Sequence, residues 1–231
     1  MALAQQARVD GKRGQDIAVV TRDFKYQATR MSCYTNCVHN VLRDLATAHN
    51  CAAIALSERD ITRLLRDREL LGPQLADVVP RMSGHLKKWG YAANETWDRS
   101  HNQLTEVLRD AHSSFPCVGL SYHYLTDRKA VKDEGISNPP DHVVIVLFSD
   151  ELETIVYEPF EGFSKQMQDE RLAQKMPKGT YLMATGRFLS YWDSASDASW
   201  MFWVYRLPSS RESTKSPRLD SFTKNAGGDQ S

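Results

Sequence analysis

An α+β domain is predicted by three features of the 231-residue chain. An amphipathic helical stretch opens at Cys33, further helical periodicity runs to about residue 112, and apolar, β-branched runs follow that read as an antiparallel sheet. A length of 231 residues suits one well-buried domain, or at most two small ones. The hydrophobic fraction of 41% and the aromatic fraction of 10% are ordinary for a chain that builds a core. Lys plus Arg and Asp plus Glu are each 29, so the net charge is zero, which gives no support for a nucleic-acid or membrane-surface partner.

The elements follow in order. Ile17–Val20 is a short apolar stretch leading into Thr21–Phe24. From Tyr34 the apolar positions 34, 37, 38, 41, 42 and 45 trace one face of a helix, with Ser32 as N-cap and Cys33 in the first turn. A second helix is expected after Ser57, broken at Gly72-Pro73, and a third from about Leu75 to Trp89, ending at Gly90. Gln103–His112 is a fourth, amphipathic through Leu104, Val107 and Leu108. Cys117–Tyr122 reads as a strand, and the apolar run His142–Phe148 as a central buried one. Ser149-Asp150-Glu151 is a turn that returns the chain into Thr154–Tyr157 as a hairpin. Thr185–Trp192 is expected to be helical and Trp200–Tyr205 to be a last, aromatic strand.

The domain is bounded at about residues 16–207, with 1–15 a flexible N-terminus and 208–231 a tail too polar to pack. Met1–Gly14 lacks the apolar core of a secretory signal, and no run approaches the ~18 apolar residues of a spanning helix. Four cysteines, Cys33, Cys37, Cys51 and Cys117, show no disulfide-rich pattern, so a reduced, cytoplasmic setting is expected, with a thiol free for chemistry.

Cys33 is the candidate nucleophile, because a helix N-terminus favours the thiolate. His142, opening the most apolar strand, is the candidate base. Glu158 ends the partner strand of the same hairpin and is placed to orient the imidazole, with Asp141 and Glu161 as competitors for that role. Gln27, six residues before Cys33, is the candidate side-chain donor to an oxyanion, beside the Cys33 backbone N–H.

These residues carry a resemblance. Gln27 six positions ahead of a cysteine that opens a long helix resembles the papain-like cysteine peptidases. The pattern is most similar to the bacteriocin-processing (double-glycine leader) peptidases in a stand-alone form. His142-Val-Val-Ile-Val-Leu, a polar turn and Ile155-Val156-Tyr157-Glu158-Pro159 are similar to that family's histidine strand and the Asp-Pro closing the next. Gly186–Trp192 resembles its closing helix, so the likeness spans about Lys25 to Tyr205. It implies a papain-like fold in which the nucleophile helix packs on an antiparallel sheet, and a peptidase working through a Cys33 acyl-enzyme on a peptide or protein substrate. No cofactor and no metal are implied. Two positions depart from the family: Tyr34 stands where Gly usually follows the nucleophile, which is expected to narrow the cleft, and Glu158 replaces the usual Asp or Asn. Transporter domains often fused to such peptidases do not accompany this chain, so a leader-peptide substrate is not implied.

Two other function classes fit the same residues. An acyl transferase, transglutaminase-like, uses the same Cys–His–acid set with an amine as acceptor, and an inactive module holds a peptide without cleaving it. Oligomeric state is not legible. Cys33, Cys37 and His39 invite a metal reading, but positions 37 and 39 point about 200° apart on a helix. Cys37 is expected in the core, His123 on a strand surface, and Gly227-Gly228 in the tail as a chance di-glycine.

Overall fold

Val38, Val41, Leu42 and Leu45 recur at helical spacing, and every one of them is fully buried. They form the inward stripe of the longest helix, Cys33–Ala48. A computed structural model describes residues 17–27, 32–65, 78–97, 100–121, 123–127, 142–160, 165–195 and 200–208. The expectations for residues 1–16, for the break at Gly72-Pro73 and for residues 209–231 lie outside them. So do Asp141 and Glu161.

Helices among these residues are α1 (Ile17–Thr21), α2 (Cys33–Ala48), α3 (Glu58–Leu65), α4 (Val78–Leu86), α5 (His101–Arg109), α6 (His123–Asp127), α7 (Lys165–Ala173) and α8 (Thr185–Asp193). Strands are β1 (Tyr91–Thr96), β2 (Cys117–Leu120), β3 (His142–Ser149), β4 (Glu153–Tyr157), β5 (Thr180–Ala184) and β6 (Met201–Arg206). All six join one sheet of order β1-β6-β2-β3-β4-β5, antiparallel at every pairing. The α+β class expected from the sequence is the class observed, with α2 packed across β3 and β2.

Local chemistry explains the boundaries. Ser57 Oγ accepts from the Asp60 N–H at 3.1 Å and donates to Asp60 Oδ2 at 2.6 Å, a reciprocal cap that starts α3. Ser100 caps α5 through the Gln103 N–H. Ser32 precedes α2, but its side chain caps no amide; its carbonyl accepts from Asn36 instead. Gly90, at φ 78°, turns the chain out of the 3₁₀ turn Lys87–Trp89 into β1.

The order differs from helices followed by strands. β1 precedes α5 and pairs with the last strand, β6, as an edge of the sheet. Ser83 of α4 bonds both the N–H and the C=O of Ala93, so the helix covers that edge. β5, α6 and α7 are likewise elements the sequence pattern did not announce.

Candidate active site

The β3–β4 hairpin assembles the first part of the site. Its register pairs Ile145 with Tyr157 and Val146 with Val156. Continued one residue, it sets Glu158 opposite Val144, on the face His142 shares, as a diagonal neighbour. His142 Nε2 meets Glu158 Oε1 at 2.6 Å, and the same oxygen accepts from the Phe160 N–H at 2.8 Å. Both side chains are buried, Glu158 completely. With Nε2 engaged by the carboxylate, Nδ1 is the nitrogen left for the thiol, and Cys33 and His142 are close enough for each to shift the other's ionisation.

Helix α2 supplies that thiol at its first residue, partly exposed, where the helix dipole favours an anion. Burial pushes the Cys33 thiol up, but the hydrogen bond and charge of His142, with the Val143 backbone amide, outweigh it. The thiol therefore titrates below its ordinary value. Burial alone would lower His142; the charge of Glu158 and the bonds to Cys33 and Glu158 reverse this and raise it to about 10. The two shifts, one down and one up, both favour the thiolate–imidazolium pair over the neutral one.

Gln27 reaches the same corner by another route. Its N–H donates to Pro159 O at 2.8 Å, beside Glu158. One residue earlier, the Tyr26 ring stacks on Tyr157 with centroids 6.2 Å apart, and Lys178 Nζ lies 4.8 Å from the Tyr26 ring centre. Gly179 permits this packing: at φ 77°, a Cβ there would meet the Tyr157 ring at 2.6 Å. Cys33, His142 and Glu158 are thus brought together, and Gln27 is anchored to the residue after Glu158.

Other expectations are redirected. Tyr34 does not narrow a cleft; it is buried against Trp200 and Phe202, with ring centroids at 5.5 and 6.3 Å. Cys37 is in the core as expected, its thiol raised by burial and donating to Val143 O at 3.4 Å. His39 bonds Leu56 O. His123 is exposed at the start of α6, on a helix rather than a strand. A hollow of about 250 Å³ between α1 and the later turns of α2, lined by Val20, Phe24, Arg43 and Thr47 among others, contains none of the four site residues.

Tyr124 escaped the sequence reading. Its ring lies parallel to the His142 imidazole within 8°, centroids 6.1 Å apart, and is held in turn by Tyr191. The Tyr191 hydroxyl donates to Asp127 and accepts from Arg187, both at 2.9 Å. Its signal in the sequence is the run Tyr122-His123-Tyr124, in which a histidine is flanked by two aromatic residues.

Compared with known proteins, the chain matches no family model and no curated protein. Among the solved structures to which it is similar is the crystal structure of the peptidase domain of Streptococcus ComA, a bi-functional ABC transporter involved in a quorum sensing pathway. The two share 13% identity and a TM-score of 0.43, covering 79% of this chain and 96% of that one. Among the described residues, no helix is long and apolar enough to cross a membrane.

Proposed function

We propose that the chain is a cysteine hydrolase of the papain-like kind, cleaving peptide or isopeptide bonds through a Cys33 acyl-enzyme. The observation that carries the reading is the cluster of a partly exposed Cys33 with the buried His142–Glu158 pair, in which the carboxylate holds one imidazole nitrogen at 2.6 Å and leaves the other for the thiol. The Cys33 thiolate attacks the substrate carbonyl, forming the S–C bond, and the oxyanion takes hydrogen bonds from the Cys33 N–H and the Gln27 carboxamide. His142 passes its proton to the leaving amine as the C–N bond breaks. The neutral imidazole then removes a proton from water, which attacks the thioester, and the C–S bond breaks to release the acid. Glu158 keeps the imidazole oriented and stabilises its charge throughout.

A peptide bearing a thiol-reactive warhead tests this directly. Cys33 should be labelled far faster than Cys37, Cys51 or Cys117, and Cys33→Ala should abolish both labelling and hydrolysis while shifting the melting temperature by only a few degrees. Gln27→Ala should lower kcat by ~10²–10³ with little change in KM. Hydrolysis run with a primary amine present separates the acyl transferase, which would form amide product visible by mass spectrometry. Labelling of Cys33 no faster than of an ordinary thiol would leave only the inactive peptide-binding module.

A further inference from the structure

We infer that Asn40 is a positioning residue for the Gln27 carboxamide, held in the correct sense by a polar relay that runs through Asn36 to Glu58. The inference rests on the catalytic reading above and adds to it the device that sets the oxyanion donor.

Asn40 lies on α2 seven residues beyond Cys33, on the same face and ~10 Å along the axis. It is fully buried. Its Oδ1 accepts from the Lys25 N–H at 2.9 Å and its Nδ2 donates to the Lys25 C=O at 3.0 Å. One side-chain amide thus satisfies both main-chain groups of one residue, as an adjoining strand would. The remaining Nδ2 hydrogen goes to Asn36 Oδ1 at 3.0 Å, and Asn36 Nδ2 donates to Glu58 Oε1 at 2.9 Å.

The relay has a direction. An ionised Glu58 only accepts, so Asn36 must turn its NH₂ to Glu58 and its oxygen to Asn40. Asn40 must then turn NH₂ toward Asn36 and the Lys25 carbonyl, and oxygen toward the Lys25 N–H. Every contact is donor to acceptor only in this arrangement. Two fully buried amides are costly unless satisfied. Here they are satisfied by gripping the strand of chain two residues before Gln27.

The grip matters because of where Lys25 leads. Lys25 is fixed to α2 by Asn40, Tyr26 to β4 by the Tyr157 ring, and Gln27 to Pro159 by its N–H. The donor is therefore referenced to the helix that carries Cys33 and to the strand end that carries Glu158. A displacement of ~1 Å in such a donor can cost ~10²-fold in rate.

The test uses the full chain and Asn40→Asp, which keeps the shape but sets oxygen against the Lys25 carbonyl and Asn36 Oδ1. Asn40→Ala, which removes the grip without repulsion, is read in its place should the aspartate variant not fold. Each is compared with the parent in hydrolysis of an activated p-nitrophenyl ester of an N-acylated amino acid and in alkylation of Cys33 by iodoacetamide. Alkylation is displacement at a saturated carbon and forms no oxyanion. The expected result is a kcat lower by ~10–10²-fold, with KM within about threefold and alkylation within about twofold of the parent. Combining Asn40→Asp with Gln27→Ala should cost no more than Gln27→Ala alone, since both remove one function. With an active parent, unchanged kcat, alkylation falling in step with kcat, or multiplying effects in the double variant would overturn the positioning role alone. A parent that neither hydrolyses the ester nor alkylates at Cys33 faster than an ordinary thiol would overturn the catalytic reading and this inference with it.

Discussion

Strand β3 has a histidine at each end, and the two are shifted in opposite directions. At the first end His142 is buried beside the Glu158 carboxylate and is raised to about 10. At the other end His101 Nε2 meets Ser149 Oγ at 2.8 Å, and burial lowers it, the charges of Asp150 and Glu151 offsetting only part of the loss. Ser149 continues to Thr154, Thr154 to Thr185, and the Thr185 hydroxyl donates to Asp150 O. Read backward from that carbonyl, each hydroxyl spends its one hydrogen on the next, so Ser149 can only accept from His101. That ring therefore carries a hydrogen on Nε2. Partial burial on α5 thus suppresses one imidazolium, while a buried carboxylate secures the other in spite of deeper burial. The difference in sign lies in the partner, since depth alone would lower His142 the more.

The widest gap between the two ends should appear in turnover. His142→Ala removes the proposed proton carrier and should cut kcat by at least ~10⁴-fold, whereas His101→Ala should leave kcat/KM within about twofold in the same assay. Loss of activity in His101→Ala would make the hydroxyl chain part of the reaction and erase the contrast.

A smaller effect is expected where the charge at the first end is removed but the shape kept. Glu158→Gln should lower kcat by ~10–10²-fold, and Glu158→Ala by more. Because Glu158 is the largest influence raising His142, the basic limb of the kcat/KM profile, near pH 10 in the parent, should move to lower pH in Glu158→Gln. A limb that stays in place would assign the raised value to another group.

The two histidines should also leave opposite marks on stability. A Cys33→Ala background isolates the His142–Glu158 pair. Because the folded value of His142 lies above the unfolded ~6.5, its contribution is full below that pH and is lost as pH rises toward 10. The stability gap between Cys33→Ala and Cys33→Ala/Glu158→Gln should therefore shrink from pH 7 to pH 10 in urea unfolding. His101 has a lowered folded value, so its contribution is full above ~6.5 and is lost as pH falls through that value. The gap between the parent and His101→Gln should shrink from pH 7 toward pH 5. Gaps that move together would break the comparison.

The smallest effect is structural. His101→Ala leaves the Ser149–Thr154–Thr185 chain short of one donor and should cost ~1 kcal/mol in chemical denaturation at pH 7.5. A cost near zero would mean that water replaces the ring.

Much of the framework was legible because its signals are local. The stripe Val38–Val41–Leu42–Leu45 specifies α2, and the runs His142–Ser149 and Glu153–Tyr157 around a polar turn specify the hairpin, so the positions of Cys33, His142 and Glu158 along the chain follow from the sequence. β1 was not legible. Its Tyr-Ala-Ala-Asn-Glu-Thr composition is poor for a strand, and it forms because β6 supplies a partner from far along the chain, with Ser83 of the preceding helix bonding its other side. The inward turn of Tyr34 was equally hidden, since the space beside Trp200 and Phe202 exists only once β6 joins the sheet.

By itself the sequence determined which residues could do chemistry, since helix periodicity sets Cys33 at an N-terminus and strand pairing sets His142 beside the next strand's end. Only the tertiary structure decided what those residues are. Cys33 and Cys37 lie one turn apart on one helix, yet the first is lowered by His142 and the second is raised by burial against Val143. Ionisation depends on charge and desolvation within a few ångströms, and those neighbours are contributed by residues more than a hundred positions away.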